Sequence, residues 1–163
     1  TVKNATWSGR NYYGVVCVYD DTANADVSVV LQNLSYVGPQ MIYNRYGTTT
    51  VRDCNVVIDK NGSSASVQEF SEANRLVLAG KTTIKSLATS GSVMWFPFAG
   101  SALTVASGAV VDISAPSTYL IYSDAAAKPV LTFKNGSSTT ISVKNGLFYA
   151  AGASAHIASS CTI

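Results

Sequence analysis

The stretch LTVASGAVVDISAPSTYLIYSD, residues 103–124, decides the fold, because a similar stretch, LTFKNGSSTTISVKNGLFYAAG, follows it at residues 131–152. Both stretches alternate apolar residues with small or polar ones, break at glycine or proline, and then resume the alternation. A period of two is typical of β-strands that have one buried face. The sequence therefore predicts a unit of short strands that recurs along the chain.

Two series of side chains give the period of this unit. An aromatic series recurs at a nearly constant interval of about 27 residues, a length found in repeat proteins: Tyr43, Phe70, Phe96, Tyr122 and Tyr149. An apolar series recurs less evenly: Leu31, Val51, Leu76, Leu103, Leu131 and Ile157. The last three full copies also share two apolar positions, a glycine and a further apolar position: Leu76, Leu78, Gly80 and Ile84; Leu103, Val105, Gly108 and Ile113; Leu131, Phe133, Gly136 and Ile141. Each repeat is thus predicted to contain about three short strands.

Repeats of this length indicate a solenoid, a propeller or a helical array. The period of two and the many Val, Thr, Ser and Gly residues exclude helical repeats, and a propeller blade needs about 40 residues. An all-β, right-handed parallel β-helix (β-solenoid) remains, with about five to six coils of 20–28 residues, the first of them less regular. We expect residues 1–163 to form a single domain that is a fragment of a longer protein, since neither end of the sequence has a solenoid cap.

Composition removes several classes of partner. Charged residues make up 12% of the chain, and eleven Lys and Arg are scattered singly against nine acids, so no basic stripe is present for nucleic acid. The longest aromatic-rich apolar run, VMWFPFAG at residues 93–100, is far shorter than the roughly 20 residues of a membrane-spanning helix. Cys17, Cys54 and Cys161 show no C-x-x-C spacing, so neither a metal nor another cofactor is indicated.

Three pieces of the sequence carry a family resemblance that covers about Ser8 to Ser114. They are SGRNYYG, with Tyr12, Tyr13 and Gly14; LQNLSYVGPQMIYN, from Leu31; and LTVASGAVVDIS, from Leu103. In these pieces the chain resembles the pectate-lyase-like adhesive domains of Gram-positive surface proteins. The resemblance implies a β-helix adhesin on the bacterial cell surface, extracellular and attached to the cell wall, that binds a host or environmental glycan or glycoprotein beside neighbouring repeats of the same protein.

The residues argue against the enzymes that share this fold. A polysaccharide lyase resembling pectate lyase needs an acidic cluster for calcium and a base, but only Asp20–Asp21 and Glu69/Glu72 are close in sequence. Asp26 and Asp53 lie one period apart, a spacing that suits the two carboxyls of a glycosidase. The single histidine, His156, belongs to no catalytic motif. No catalytic residue is assigned, and a structural spacer is the main alternative to an adhesin, with a polysaccharide lyase or hydrolase behind it.

Alternation along the aromatic strand predicts a binding surface. If the aromatic series faces inward, a mostly apolar row faces outward: Ile42, Glu69, Trp95, Ile121 and Phe148. Either this stripe is displayed, with Trp95 as its leading aromatic, or an adjacent segment covers it. A second candidate surface gathers tyrosines around Arg45, an arginine that could attract acidic sugars, although core packing is the alternative for each tyrosine. The predicted ligand-binding residues of both surfaces are Trp95, Tyr12, Tyr13, Tyr36, Arg45 and Tyr46.

Overall fold

The computed structural model describes residues 1–10, 13–18, 27–62, 68–116, 118–124, 126–149 and 154–157. Every regular element in these ranges is a strand, and none of them holds a helix long and apolar enough to cross a membrane. The strands are β1 (Val2–Ser8), β2 (Val16–Val18), β3 (Ser28–Gly38), β4 (Gln40–Arg52), β5 (Asn55–Ile58), β6 (Glu69–Ala79), β7 (Lys81–Ser86), β8 (Ser92–Phe96), β9 (Ala102–Val105), β10 (Val110–Ala115), β11 (Tyr119–Ser123), β12 (Val130–Phe133), β13 (Ser138–Val143), β14 (Phe148–Tyr149) and β15 (Ser154–Ile157).

The strands pair in parallel and form three stacks. Stack A contains residues 5–8 of β1, residues 35–38 of β3, β5, β7, β10 and β13. Stack B contains β2, residues 40–44 of β4, residues 69–73 of β6, β8, β11 and β14. Stack C contains residues 2–3 of β1, 28–32 of β3, 48–52 of β4 and 75–79 of β6, then β9, β12 and β15. The chain visits A, B and C in turn for about five turns, which confirms the predicted parallel β-solenoid.

Stacks A and C carry the apolar ladders that the repeat predicts. Leu76, Leu103 and Leu131 are paired across stack C, and Ile84, Ile113 and Ile141 across stack A. Leu76, Leu103 and Leu131 are at most 2% exposed. Two steps of the predicted series shift by two positions, because Val51 pairs with Leu78 and Leu131 with Ala155, which places Ile157 beside Phe133.

Stack B differs from the predicted register. Its buried inner row is Ile42, Ser71, Met94 and Ile121, and its outer row is Tyr43, Glu72, Trp95, Tyr122 and Tyr149. The step from Tyr43 to Glu72 is longer than the step from Glu72 to Trp95, so a constant period does not follow this row. Phe70 and Phe96 are not members of the row, and both are fully buried, as the inward orientation of the aromatic series predicts. Tyr122 and Tyr149 were expected inside but are 36% and 59% exposed, whereas Ile121 was expected outside but is buried.

The corner that leads from stack C to stack A repeats one backbone conformation. The residue at the corner has positive φ in each coil: Asn4 (54°), Asn33 (54°), Asp53 (54°), Gly80 (57°), Gly108 (67°) and Gly136 (69°). Asn33 Nδ2 donates to Asn4 Oδ1 at 2.9 Å, and Lys81 N donates to Asp53 Oδ1 at 2.9 Å. Asp53 therefore has a structural role at a corner. Asp26, its partner in the glycosidase pair that the spacing suggests, lies outside the described ranges, so that pair stays a prediction.

Substitution of the corner glycines has two possible costs: backbone strain at positive φ, and a steric clash of the new Cβ with a neighbouring side chain. A Cβ on Gly80 would lie 2.0 Å from Asp53 Oδ1, whereas a Cβ on Gly108 would meet nothing within 4 Å. We expect Gly108→Ala to lower the free energy of unfolding by about 1–2 kcal/mol, the cost of a left-handed alanine, and Gly80→Ala to lower it further because Asp53 must move. Urea unfolding monitored by circular dichroism measures both values. Gly108→Asn is the control and should lower the free energy of unfolding less than Gly108→Ala does, since asparagine occupies two of the other corners. Equal losses for Gly80→Ala and Gly108→Ala would contradict the role of Asp53.

Candidate functional site

The outer row of stack B forms an aromatic stripe, defined here as Tyr43, Trp95, Tyr122 and Tyr149. Register places one of these rings on each of four coils, with Glu72 on the coil between Tyr43 and Trp95. The ring centroids of Trp95 and Tyr122 are 6.1 Å apart at 61°, and those of Tyr122 and Tyr149 are 5.7 Å apart at 20°. These separations are typical of favourable aromatic pairs. Trp95, Tyr122 and Tyr149 therefore form a contiguous row along the solenoid axis, whereas Tyr43, which is 3% exposed, lies beyond the buried Glu72.

A groove of 530 Å³ opens beside the C-terminal half of the stripe. We call it the aromatic groove; its lining residues are Gln68, Glu69, Ser90, Gly91, Ser92, Trp95, Tyr119, Tyr122 and Tyr149. Tyr119 completes one wall, with its ring centroid 5.2 Å from that of Tyr149. The volume falls within the range of about 300–1,000 Å³ that is common for small-molecule sites. Aromatic faces and hydroxyl groups together therefore offer apolar contact and hydrogen bonds in one depression.

Arg45 connects the aromatic groove to the N-terminal tyrosines. Its guanidinium carbon lies 5.0 Å from the ring centroid of Tyr43, 5.7 Å from that of Trp95 and 5.9 Å from that of Phe98. Arg45 also forms an ion pair with Glu72, to which its Nε donates a hydrogen bond. Each cation–π contact contributes about 0.5–1 kcal/mol at an exposed site and more when it is desolvated. The two surfaces that the sequence predicts separately are thus joined by one side chain.

Glu69 is the acidic side chain in the groove wall. It is only 6% exposed, and Gln40 Nε2 donates to its Oε1 at 2.7 Å. Burial, followed by the nearby Glu72, raises the pKa of Glu69 from 4.5 to about 8, against the opposing effects of Gln40 and Arg45. At neutral pH the Glu69 carboxyl is therefore mostly protonated, which makes it an uncharged hydrogen-bonding group in the wall.

Glu72 lies in the outer row between Tyr43 and Trp95, but it does not line the groove. Its side chain is fully buried, and burial raises its pKa even though Arg45 acts in the opposite direction. Glu72 Oε2 and the neighbouring Trp95 Nε1 are both buried without a hydrogen-bond partner among the described residues. A buried polar atom without a hydrogen-bond partner lowers the free energy of unfolding. This part of stack B therefore contributes less stability than the apolar ladders of stacks A and C.

The predicted ligand-binding residues do not all lie at the aromatic groove. Trp95 is half-buried and lines the groove, which agrees with its prediction as an outward residue. Arg45 is half-buried beside it. Tyr46 stacks on Phe98 with the ring centroids 5.1 Å apart, and Tyr13 packs edge-on against Tyr43 at 5.0 Å. Tyr12 lies outside the described residues.

Tyr36 is a correction to the predicted set. It is 1% exposed, and its hydroxyl donates to the backbone oxygen of Gln40, so it is a core residue. Gly9 and Gly38 cover its ring, and a Cβ on Gly38 would lie 2.4 Å from the Tyr36 hydroxyl. Burial raises the pKa of Tyr36 to about 12. A ligand at the surface therefore has no access to this side chain.

Of the nine groove residues, the sequence predicts that Trp95 binds ligand and places Glu69 in the same outward row. It assigns none of the other seven, which include Tyr119, Tyr122 and Tyr149, to a binding surface. One signal was present, because the step from Trp95 to Tyr122 equals the step from Tyr122 to Tyr149, which assigns all three rings to one face. The protonated state of Glu69 had no such signal, since it depends on burial between Gln40 and the groove.

The described residues contain no group of three His, Cys, Asp or Glu side chains arranged to hold a metal ion; Asp20 and Asp21 lie outside them. Comparison of the chain with protein-family models, curated proteins and solved structures gives no match. The resemblance to pectate-lyase-like adhesive domains therefore stays a prediction from the sequence.

The raised pKa of Glu69 predicts a pH-dependent stability. Folded Glu69 keeps its proton between pH 4.5 and about 8, where unfolded Glu69 loses it, so stability falls as pH rises through this window. The slope for one such group is about 1.4 kcal/mol per pH unit. We expect Glu69→Gln to flatten the pH dependence of urea unfolding and to stabilise the protein at pH 8. Asp112→Asn, at an exposed position of β10, is the matched control and should keep the native slope; a Glu69→Gln variant with that slope would contradict the assignment.

The Arg45–Glu72 pair predicts a second effect. Arg45→Met leaves Glu72 buried without a counter-charge, and loss of one partner of a buried pair costs about 3–5 kcal/mol. The loss in urea unfolding should be large at pH 8 and smaller at pH 4, where Glu72 is protonated. The double variant Arg45→Met/Glu72→Gln should recover most of the stability. An additive loss in the double variant would show that Arg45 acts through ring packing alone.

Proposed function

We propose that the protein is a bacterial cell-surface adhesin module that binds a glycan through the aromatic groove. The observation that carries the proposal is the aromatic stripe, in which Trp95, Tyr122 and Tyr149 stand one coil apart beside a groove with hydroxyl-bearing walls. The cell-surface setting, the attachment to a cell wall and the Gram-positive origin rest on the resemblance of the sequence to pectate-lyase-like adhesive domains.

Sugar recognition suits this surface physically. The C–H faces of a pyranose pack on aromatic rings, while its hydroxyls require hydrogen-bond partners; tyrosine supplies both a ring and a hydroxyl. Tyr122 and Tyr149 are 36% and 59% exposed, and their stacked rings present a joint aromatic surface rather than isolated side chains. Contiguous exposed apolar surface of this kind marks binding sites.

The alternatives receive less support. A spacer needs only polar sides, and the aromatic stripe would be a liability on it. A two-carboxylate hydrolase needs both carboxyls against the substrate. Glu69 lines the groove, but Glu72 is fully buried and ion-paired with Arg45, so the second carboxyl is not presented to the groove.

Glycan binding predicts a loss on removal of the stripe. In a glycan-array screen followed by calorimetry, Tyr122→Ala and Trp95→Ala should each weaken binding about tenfold or more, as expected for aromatic anchors. Trp7→Ala is the matched control, since Trp7 is 46% exposed but lies on β1 in stack A. Circular dichroism establishes that each variant is folded. Binding that is lost in Trp7→Ala and kept in Tyr122→Ala would move the site away from the groove, and the lack of any glycan binding would favour a spacer.

A further inference from the structure

We propose that the aromatic groove selects uncharged glycans and discriminates against uronates and other acidic sugars. This inference deepens the proposed function and rests on it. It reverses the expectation that an arginine near the tyrosines attracts acidic sugars, and it follows from which charges the structure presents to the groove and which it neutralises.

The first step concerns cations. The described residues that line the groove include no lysine, arginine or histidine. The nearby cation, Arg45, is ion-paired with Glu72, and its guanidinium lies over the rings of Tyr43, Trp95 and Phe98. A sugar carboxylate that enters the groove would lose water without gaining an opposite charge, which is unfavourable.

The second step concerns the acid in the wall. Gln40 and Arg45 on β4 and Glu72 on its own strand act on Glu69. Tyr119, Tyr122 and Tyr149 line the same groove. Asp124 acts on Glu72 from the end of β11. The positive charge of Arg45 is thus balanced by the carboxylates around it, so the groups near Glu69 do not attract an anion. Ionisation of Glu69 above pH 8 would repel an anion. Its burial keeps the carboxyl protonated at neutral pH, which leaves the wall uncharged.

The third step concerns what the groove does offer. Gln68, Ser90 and Ser92 add an amide and two hydroxyls to the aromatic rings that line the groove. Neutral donors and acceptors match the hydroxyls of a pyranose, and the rings match its C–H faces. Trp95, Tyr122 and Tyr149 recur at each coil, so a chain of neutral sugars lying along the axis passes one ring after another.

The test compares neutral and acidic glycans of matched backbone. Calorimetry with the full chain at pH 7 would use gluco-, galacto- and manno-oligosaccharides and their uronate counterparts. We expect neutral members to bind and their uronates to bind at least about tenfold more weakly. Gln68→Lys adds a cation to the lining and should strengthen uronate binding about two- to fivefold, whereas the neutral variant Gln68→Met, as control, should not.

The outcomes separate this inference from the proposed function. Uronates that bind as well as neutral sugars, with binding lost in Tyr122→Ala, would overturn the selectivity and leave the glycan-binding function standing. A folded protein that binds no member of the panel would overturn both. An unchanged uronate affinity in Gln68→Lys, beside wild-type preference for neutral sugars, would show that shape rather than charge excludes the acidic sugars and would also falsify the inference.

Discussion

The fold depends on a left-handed residue at the corner between stacks C and A in each coil. Asn4, Asn33 and Asp53 hold the corner in the first three coils, and Gly80, Gly108 and Gly136 hold it in the next three. A left-handed residue with a Cβ costs about 1–2 kcal/mol, which asparagine and aspartate offset through side-chain hydrogen bonds to the adjacent coil. The bonds from Asn33 to Asn4 and from Lys81 to Asp53 are of this kind. The corner thus fixes the register of the two stacks that it joins.

That constraint explains why stacks A and C could be predicted from the sequence. In the sequence the corner residue follows two apolar positions of stack C and precedes one apolar position of stack A. The corner glycines Gly108 and Gly136 therefore align two coils, so that Leu103 pairs with Leu131 and Ile113 with Ile141. Stack B has no such marker. Its connections vary in length, and the unequal steps along its outer row place Phe96 beside Ser123 rather than in the aromatic row.

Side-chain chemistry sorts the aromatic residues better than their period does. Phe70 and Phe96, which carry no polar atom, are fully buried, whereas Tyr122 and Tyr149 are exposed on the outer face, where their phenols can meet water. Tyr36 is inside because the backbone oxygen of Gln40 accepts its hydroxyl proton. The prediction follows a fixed period and ignores this chemical difference. It therefore places Trp95 correctly on the outer face but places Tyr122 and Tyr149 inside.

The site also lies in the part of the solenoid where several buried polar atoms have no hydrogen-bond partner among the described residues. In stack C the stacked leucines bury apolar surface without polar atoms, but the equivalent depth of stack B holds Gln40, Glu69 and Glu72. Gln40 Oε1, Glu72 Oε2 and Trp95 Nε1 have no hydrogen-bond partner among the described residues, and each costs free energy that the ladders elsewhere must offset. Evenly apolar coils would be more stable, yet they would present no wall of mixed rings, hydroxyls and a protonated carboxyl. Since a ligand that binds only the folded state adds stability, occupancy of the groove would offset part of this cost.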